Sequence, residues 1–240
     1  MKRLHDLRVV LGLSSEAEQK LAALLESIAN DPSAPTSIKA PSEAVDGHVA
    51  DSLSALPVLA DLDASGRIID IGSGAGFPGL PLAIAFDPVQ VDLLESITRK
   101  CRFISRVVER LDQSNVRVVC ARAEDWARDE GAGLYVLGVA RAVASLATLV
   151  EYASPLLVRG GHLVAWKGAR DFGEESQGAA AAAVLGMTAR EVHSVCPFPG
   201  ARHRHLHVFQ KTGPTPDGIP RRAGMARRRP FGHESSEPNY

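Results

Sequence analysis

The sequence is short of the features that would tie a chain to a membrane, a metal ion or an oxidising compartment. Only three cysteines occur in 240 residues, Cys101, Cys120 and Cys196, and no two form a CxxC pair. That spacing argues against a zinc site or a disulfide framework, and the three read as buried thiols of a reducing cytosol. No metal site is expected. Nowhere do about 18 apolar residues run together, so no membrane span is expected. The first residues, Met1-Lys2-Arg3-Leu4-His5-Asp6, are charged and lead into no long apolar stretch, which argues against a secretory signal. Net charge is nearly absent too, at −1, so bulk charge does not single out a partner.

What is present fits one large α/β domain with a short extension: 45% hydrophobic and 23% charged residues, enough for a core that needs no covalent staple. The charge is unevenly distributed. From Arg202 onward eight basic residues stand against three acidic ones, so the rest of the chain is acidic. A segregated basic end is expected where a polyanion binds, and a solubilising disordered tail would look the same.

Helical spacing of Leu21, Leu24, Leu25 and Ile28 predicts a helix over 16–30, with Ser14 or Ser15 as its cap. A second helix is expected over 42–61, kinked or broken at Pro57. From Arg67 strand and helix signals alternate. Strands are expected at 67–71, 91–95, 116–121, 135–140 and 162–167, with helices at 98–111, 146–158 and 172–184. Two last strands, 189–195 and 206–211, are expected to pair antiparallel. Alternation of this kind implies a mainly parallel sheet covered on both faces. Past Gly213 the chain is rich in Pro, Gly and Arg. It is expected to be irregular, with the last ten residues mobile.

The most informative stretch is Asp70-Ile71-Gly72-Ser73-Gly74-Ala75-Gly76-Phe77-Pro78-Gly79, between the first strand and a helix beginning near Pro78. Gly74 to Gly79 matches GxGxxG, the dinucleotide fingerprint, but the first glycine after the strand is Gly72. The other reading is the Asp-x-Gly-x-Gly-x-Gly loop of methyltransferases. There the acid faces the cationic methionine part of S-adenosylmethionine, whereas a pyrophosphate would be repelled by it. A bulky residue at Gly74 is expected to clash in this loop. Glu95 ends the second strand, 25 residues after Asp70, where an acid can accept two hydrogen bonds from a ribose diol in either class. Ala123-Glu124-Asp125, past the third strand, is expected to border the adenine or to form the acidic first turn of a short helix.

Further segments carry a narrower resemblance. In chain order they are His48-Val49-Ala50-Asp51-Ser52-Leu53, the loop with Phe77-Pro78-Gly79, and Lys100-Cys101-Arg102-Phe103. Then come Arg141-Ala142-Val143-Ala144-Ser145, Lys167-Gly168, Arg204-His205-Leu206 and Pro220-Arg221-Arg222-Ala223-Gly224. Over roughly residues 36–230 the chain resembles the RNA small-subunit methyltransferase G family, also called glucose-inhibited division protein B. The Trp-Asn and Asn-Leu-Thr motifs that members often carry upstream are absent from 31–37.

The resemblance implies a Rossmann-like class I methyltransferase, an α/β fold with a seven-stranded, mainly parallel sheet and an antiparallel last strand. It implies a helical extension (1–65), a cofactor-binding core (66–213) and a basic, partly disordered tail (214–240). It implies methyl transfer from S-adenosylmethionine to N7 of a guanosine in the decoding-region loop of bacterial 16S rRNA. The partner would be 16S rRNA or the 30S subunit, in the cytoplasm. Expected cofactor contacts are Asp70, Gly72, Ser73, Gly74, Gly76, Phe77, Glu95, Ala123, Glu124 and Arg141, with Arg141 also the catalytic candidate. Expected RNA contacts are His48, Lys167, Arg204, His205, Arg221, Arg222, Arg227, Arg228 and Arg229. Lys167 could serve the cofactor instead, and His48 with Asp51 could simply pack their helix on the sheet. A monomer is expected, since no exposed apolar helix stands out. A small-molecule methyltransferase, a non-enzymatic nucleotide-binding module and a nicotinamide dehydrogenase are the competing readings.

Overall fold

The computed structural model describes residues 2–62, 65–87 and 89–232. The chain opens with α1 (Lys2–Leu11) and α2 (Ser15–Asn30). Ser14 caps α2, its Oγ accepting from the Ala17 amide at 3.0 Å, and the leucine stripe of α2 is buried. The sequence pattern did not point to α1, which buries only Leu4 and Leu7.

The second expected helix is a broken run: α3 (Pro41–Ala44), a π-helical turn (Val45–Ala50), α4 (Asp51–Leu53) and α5 (Leu56–Asp61). The break falls at Ser54 and Ala55. Pro57 sits inside the first turn of α5, where a missing N–H costs nothing.

The core alternates β1 (Ile68–Ile71), α6 (Gly79–Ala85), β2 (Val91–Glu95), α7 (Thr98–Arg110), β3 (Val116–Cys120) and α8 (Ala123–Trp126). It continues with β4 (Tyr135–Arg141), α9 (Leu146–Ala153), β5 (Leu157–Lys167), α10 (Phe172–Val184), β6 (Met187–Ser194) and β7 (His205–Lys211). Helix α9 stops short of the expected 158 because Pro155 cannot continue it, and β5 starts correspondingly earlier, at Leu157.

The seven strands run in the order β3-β2-β1-β4-β5-β7-β6, with β7 antiparallel to both neighbours. Strands β1 and β4 are parallel neighbours from which the chain winds in opposite directions, so their carboxyl ends flank the crevice where open sheets bind ligands. One face of the sheet packs on α2, α6 and α7 through Leu24, Ile28, Leu80 and Phe103. The other packs on α9 and α10 through Leu149, Val150 and Ala181.

Two expectations need correction. The segment after Gly213 is not irregular throughout: it carries α11 (Met225–Arg228), which packs on α9 and buries Ala226. Residues 233–240, most of the stretch expected to be mobile, lie outside the described residues. The cysteines are not three buried thiols. Cys101 on α7 and Cys120 at the end of β3 are joined as a disulfide, with Cα atoms 5.8 Å apart, and Cys196 is exposed. Two adjacent parallel strands and the helix between them bring Cys101 and Cys120 together, a proximity that their spacing in the chain hides. No helix among the described residues is long and apolar enough to cross a membrane.

Candidate cofactor site

The glycine loop leaves β1 through Gly72, Gly74 and Gly76, with φ of 78°, 60° and 98°. These left-handed values favour glycine and turn the chain within a few residues. Asp70, just before the loop, is fully buried. Its Oδ2 accepts from the Gly79 amide at the start of α6 (2.9 Å), and the Ser73 hydroxyl donates to the Asp70 carbonyl (3.0 Å). Asp70 Oδ1 has no hydrogen-bond partner. Burial pushes this carboxyl up to about 7, against the opposing pull of the Gly79 amide.

Beside the loop lies a cavity of about 260 Å³. Its walls include Gly72, Glu95, Lys100, Ala123, Glu124 and Ala142. Glu95 is nearly buried here. One carboxylate oxygen accepts from the Gly74 amide (3.1 Å), the other from the Ile97 amide (2.9 Å), and the Lys100 ammonium lies 3.7 Å away. Each oxygen keeps a lone pair for a further donor, as a ribose diol requires. Of the expected cofactor residues, Gly72, Glu95, Ala123 and Glu124 line this cavity. Gly74 acts through its amide on Glu95, while Asp70 and Ser73 sit buried behind the loop.

Arg141 and Phe77 flank this cavity without being among its walls. The Arg141 guanidinium donates to Asp51 Oδ2 (2.7 Å) and the Gly47 carbonyl (3.1 Å), and lies over the Phe77 ring at 5.4 Å. His48 also stacks on Phe77, its ring 4.4 Å from that of Phe77 and nearly parallel. Guanidinium only donates, so His48 Nδ1 accepts from Arg141 (3.3 Å), and the proton on Nε2 serves the Ile38 carbonyl (3.2 Å). Burial, aided by the Arg141 charge, lowers His48 to about 4 and keeps it neutral. Trp166 Nε1 donates to the Asp51 carbonyl (2.9 Å), and Arg204 approaches Asp51 Oδ1 at 3.4 Å. The His-x-x-Asp segment and Arg141 therefore join the N-terminal helices to the sheet.

This arrangement gives the residues expected to contact RNA unequal access to it. His48 is buried and hydrogen-bonded inside the protein, so it offers RNA no free donor. Lys167 pairs with Glu174 (2.6 Å) and donates to the Ala144 carbonyl (3.1 Å). Arg221 makes a two-pronged ion pair with buried Glu151, and Arg227 faces the cavity while donating to the Val143 carbonyl at 2.9 Å. Arg204, Arg222, Arg227, Arg228 and Arg229 are exposed. His205 is half-buried, its Nδ1 against the Gly168 carbonyl at 2.7 Å.

The sequence pattern missed Lys100, Ala142, Val143 and Tyr152 as cavity residues. Ala142 has φ of 56°, a left-handed value uncommon outside glycine and found at constrained functional loops. Tyr152 reads as one apolar position of α9, and no local signal sets it apart.

Sheet order, glycine loop and a buried acid ending β2 make up the class I methyltransferase fold. The geranyl diphosphate methyltransferase solved with GPP and sinefungin shares this fold. Its TM-score is 0.50 at 14% identity, covering 67% of this chain and 77% of its own. Residues 16–206 match the model of the GidB family, rRNA small subunit methyltransferase G. The ribosomal RNA small subunit methyltransferase G of Desulfitobacterium hafniense is 35% identical over 95% of each chain. That of Roseiflexus castenholzii is 44% identical over 82% of this chain and 83% of its own. The chain belongs to the rRNA small subunit methyltransferase G family.

Proposed function

We propose that this protein transfers a methyl group from S-adenosylmethionine to N7 of a guanosine in the decoding-region loop of 16S rRNA. The observation that carries this reading is family membership over residues 16–206, in a chain whose β-strand ends form a cavity beside the glycine loop. Glu95 would hold the ribose, and Ala123, Glu124 and Tyr152 would border the adenine. The buried, unpartnered Asp70 Oδ1 would take the cofactor ammonium, directly or through water.

Bound S-adenosylmethionine supplies an electrophilic methyl. Guanine N7 holds an in-plane lone pair and no proton, so its alkylation calls for no general base. The protein's task is to align nucleophile and methyl and to exclude water. Loop 141–146 is suited to this because it is held from three sides. Arg141 is anchored in the N-terminal helices, Arg227 holds the Val143 carbonyl, and Lys167 holds the Ala144 carbonyl. Arg204, Arg222, Arg228 and Arg229 are exposed and would meet the phosphates.

The substrate would be 16S rRNA, free or in the 30S subunit, which implies a cytoplasmic enzyme, and the working unit is proposed as a monomer. Nucleoside mass spectrometry of 16S rRNA from cells with and without the gene tests the reading. One 7-methylguanosine of the decoding-region loop should vanish on deletion and return on complementation. Unchanged modification would contradict it.

A further inference from the structure

The C-terminal segment carries basic residues that composition alone assigns to RNA. The fold gives one of them a different setting. Residues 219–229 cross α8 and α9 and are fixed at several points. Arg128 donates to the carbonyls of Pro220 (2.7 Å) and Arg221 (2.8 Å), and Glu124 accepts from the Gly224 amide (2.7 Å). Thr148 donates to the Ala226 carbonyl (3.1 Å), and Arg221 is locked to buried Glu151. One of these anchors, Glu124, and Arg227 of the segment itself are walls of the cofactor cavity.

Arg227 reaches from this segment to the loop after β4, where its Nη2 donates to the Val143 carbonyl. The Val143 methyls cover Gly72 so closely that a Cβ on Gly72 would fall 2.7 Å from Val143 Cγ2. Ala142, with its left-handed φ, lies directly before this contact. A hydrogen bond at Val143 therefore fixes three successive parts of the wall: the strained Ala142, the Val143 side chain and the glycine loop beneath it. Tyr152 lies close enough for the charges of both Glu124 and Arg227 to act on its hydroxyl.

We propose that Arg227 is a positioning residue for S-adenosylmethionine, and that the C-terminal segment 219–229 is a structural part of the cofactor site. By holding Val143 over Gly72, Arg227 sets the width of the cavity where the cofactor lies. This inference rests on S-adenosylmethionine as cofactor and is independent of which nucleotide is methylated.

Isothermal titration of S-adenosylhomocysteine into the full chain and its Arg227→Ala, Arg227→Lys and Arg228→Ala variants tests it. The salt dependence of binding to 30S subunits from a strain lacking the enzyme is measured alongside. Arg227 is exposed, so its variants should fold, and thermal unfolding checks this. Arg227→Ala should weaken S-adenosylhomocysteine about tenfold, the order of one lost charged hydrogen bond. Arg227→Lys, which keeps a donor, should recover most of the affinity. Arg228→Ala should leave that affinity unchanged while lowering the salt slope by about 0.7–0.9, one phosphate contact. Wild-type affinity in Arg227→Ala, or a loss confined to the RNA salt slope, would overturn the proposal. Failure of the unmodified protein to bind S-adenosylhomocysteine would instead contradict the cofactor assignment.

Discussion

Gly72 and Gly74 stand two residues apart in one loop, yet they answer to different constraints. A Cβ on Gly74 would meet nothing nearer than the Gly72 carbonyl at 3.9 Å, so a methyl there finds room. Its left-handed φ is the constraint. Gly72 combines a left-handed φ with the Val143 methyls overhead. Gly72→Ala should therefore lose more S-adenosylhomocysteine affinity than Gly74→Ala in calorimetry, and equal losses would contradict the wall described above. Asp70 adds a pH dependence. With its carboxyl raised to about 7, it is mostly protonated at pH 6 and mostly charged at pH 8. If it receives the cofactor ammonium, affinity for S-adenosylhomocysteine should rise from pH 6 to pH 8, and Asp70→Asn should flatten the rise. A flat profile in the unmodified protein would remove Asp70 from that role. Asp70 and Glu95 were legible in the sequence because each sits at the end of an apolar β-run. Arg227 was not, because its role depends on where a distant segment docks.

At the scale of elements, the strands and the helices of the core were readable because their apolar period changes cleanly at glycine and proline. The N-terminal region was less so. Helix α1 shows two buried leucines, too few for a period, and the π-helical turn Val45–Ala50 is fixed by tertiary contacts rather than by propensity. Those contacts centre on Arg141, which the sequence suggested for catalysis. Its guanidinium ties the turn to β4 through Asp51 and Gly47, and the Arg141 and Asp51 side chains are both poorly accessible to solvent. Arg141→Ala should leave Asp51 short of its main counter-charge and cost about 3 kcal/mol of stability in urea unfolding. A variant as stable as the original would show that the junction contributes little and would return Arg141 to a purely chemical role.

For the molecule as a whole, three segments that look separable in the sequence pack as one unit. The N-terminal helices and the glycine-loop helix α6 bury side chains in the same core cluster. The basic C-terminal end, which composition presents as a tail, packs on α9 and supplies a wall of the cavity. Charge patterning could not reveal this, because the anchors Glu124, Arg128 and Glu151 lie about 70–100 residues upstream of their partners.

The most direct test of the central claim is transfer of labelled methyl from S-adenosylmethionine to 30S subunits and to free 16S rRNA from a strain lacking this enzyme, with the labelled nucleotide mapped. The account requires label at a single guanine N7 of the decoding-region loop. Label at another position, or none on either substrate by a protein that still binds S-adenosylhomocysteine, would contradict it.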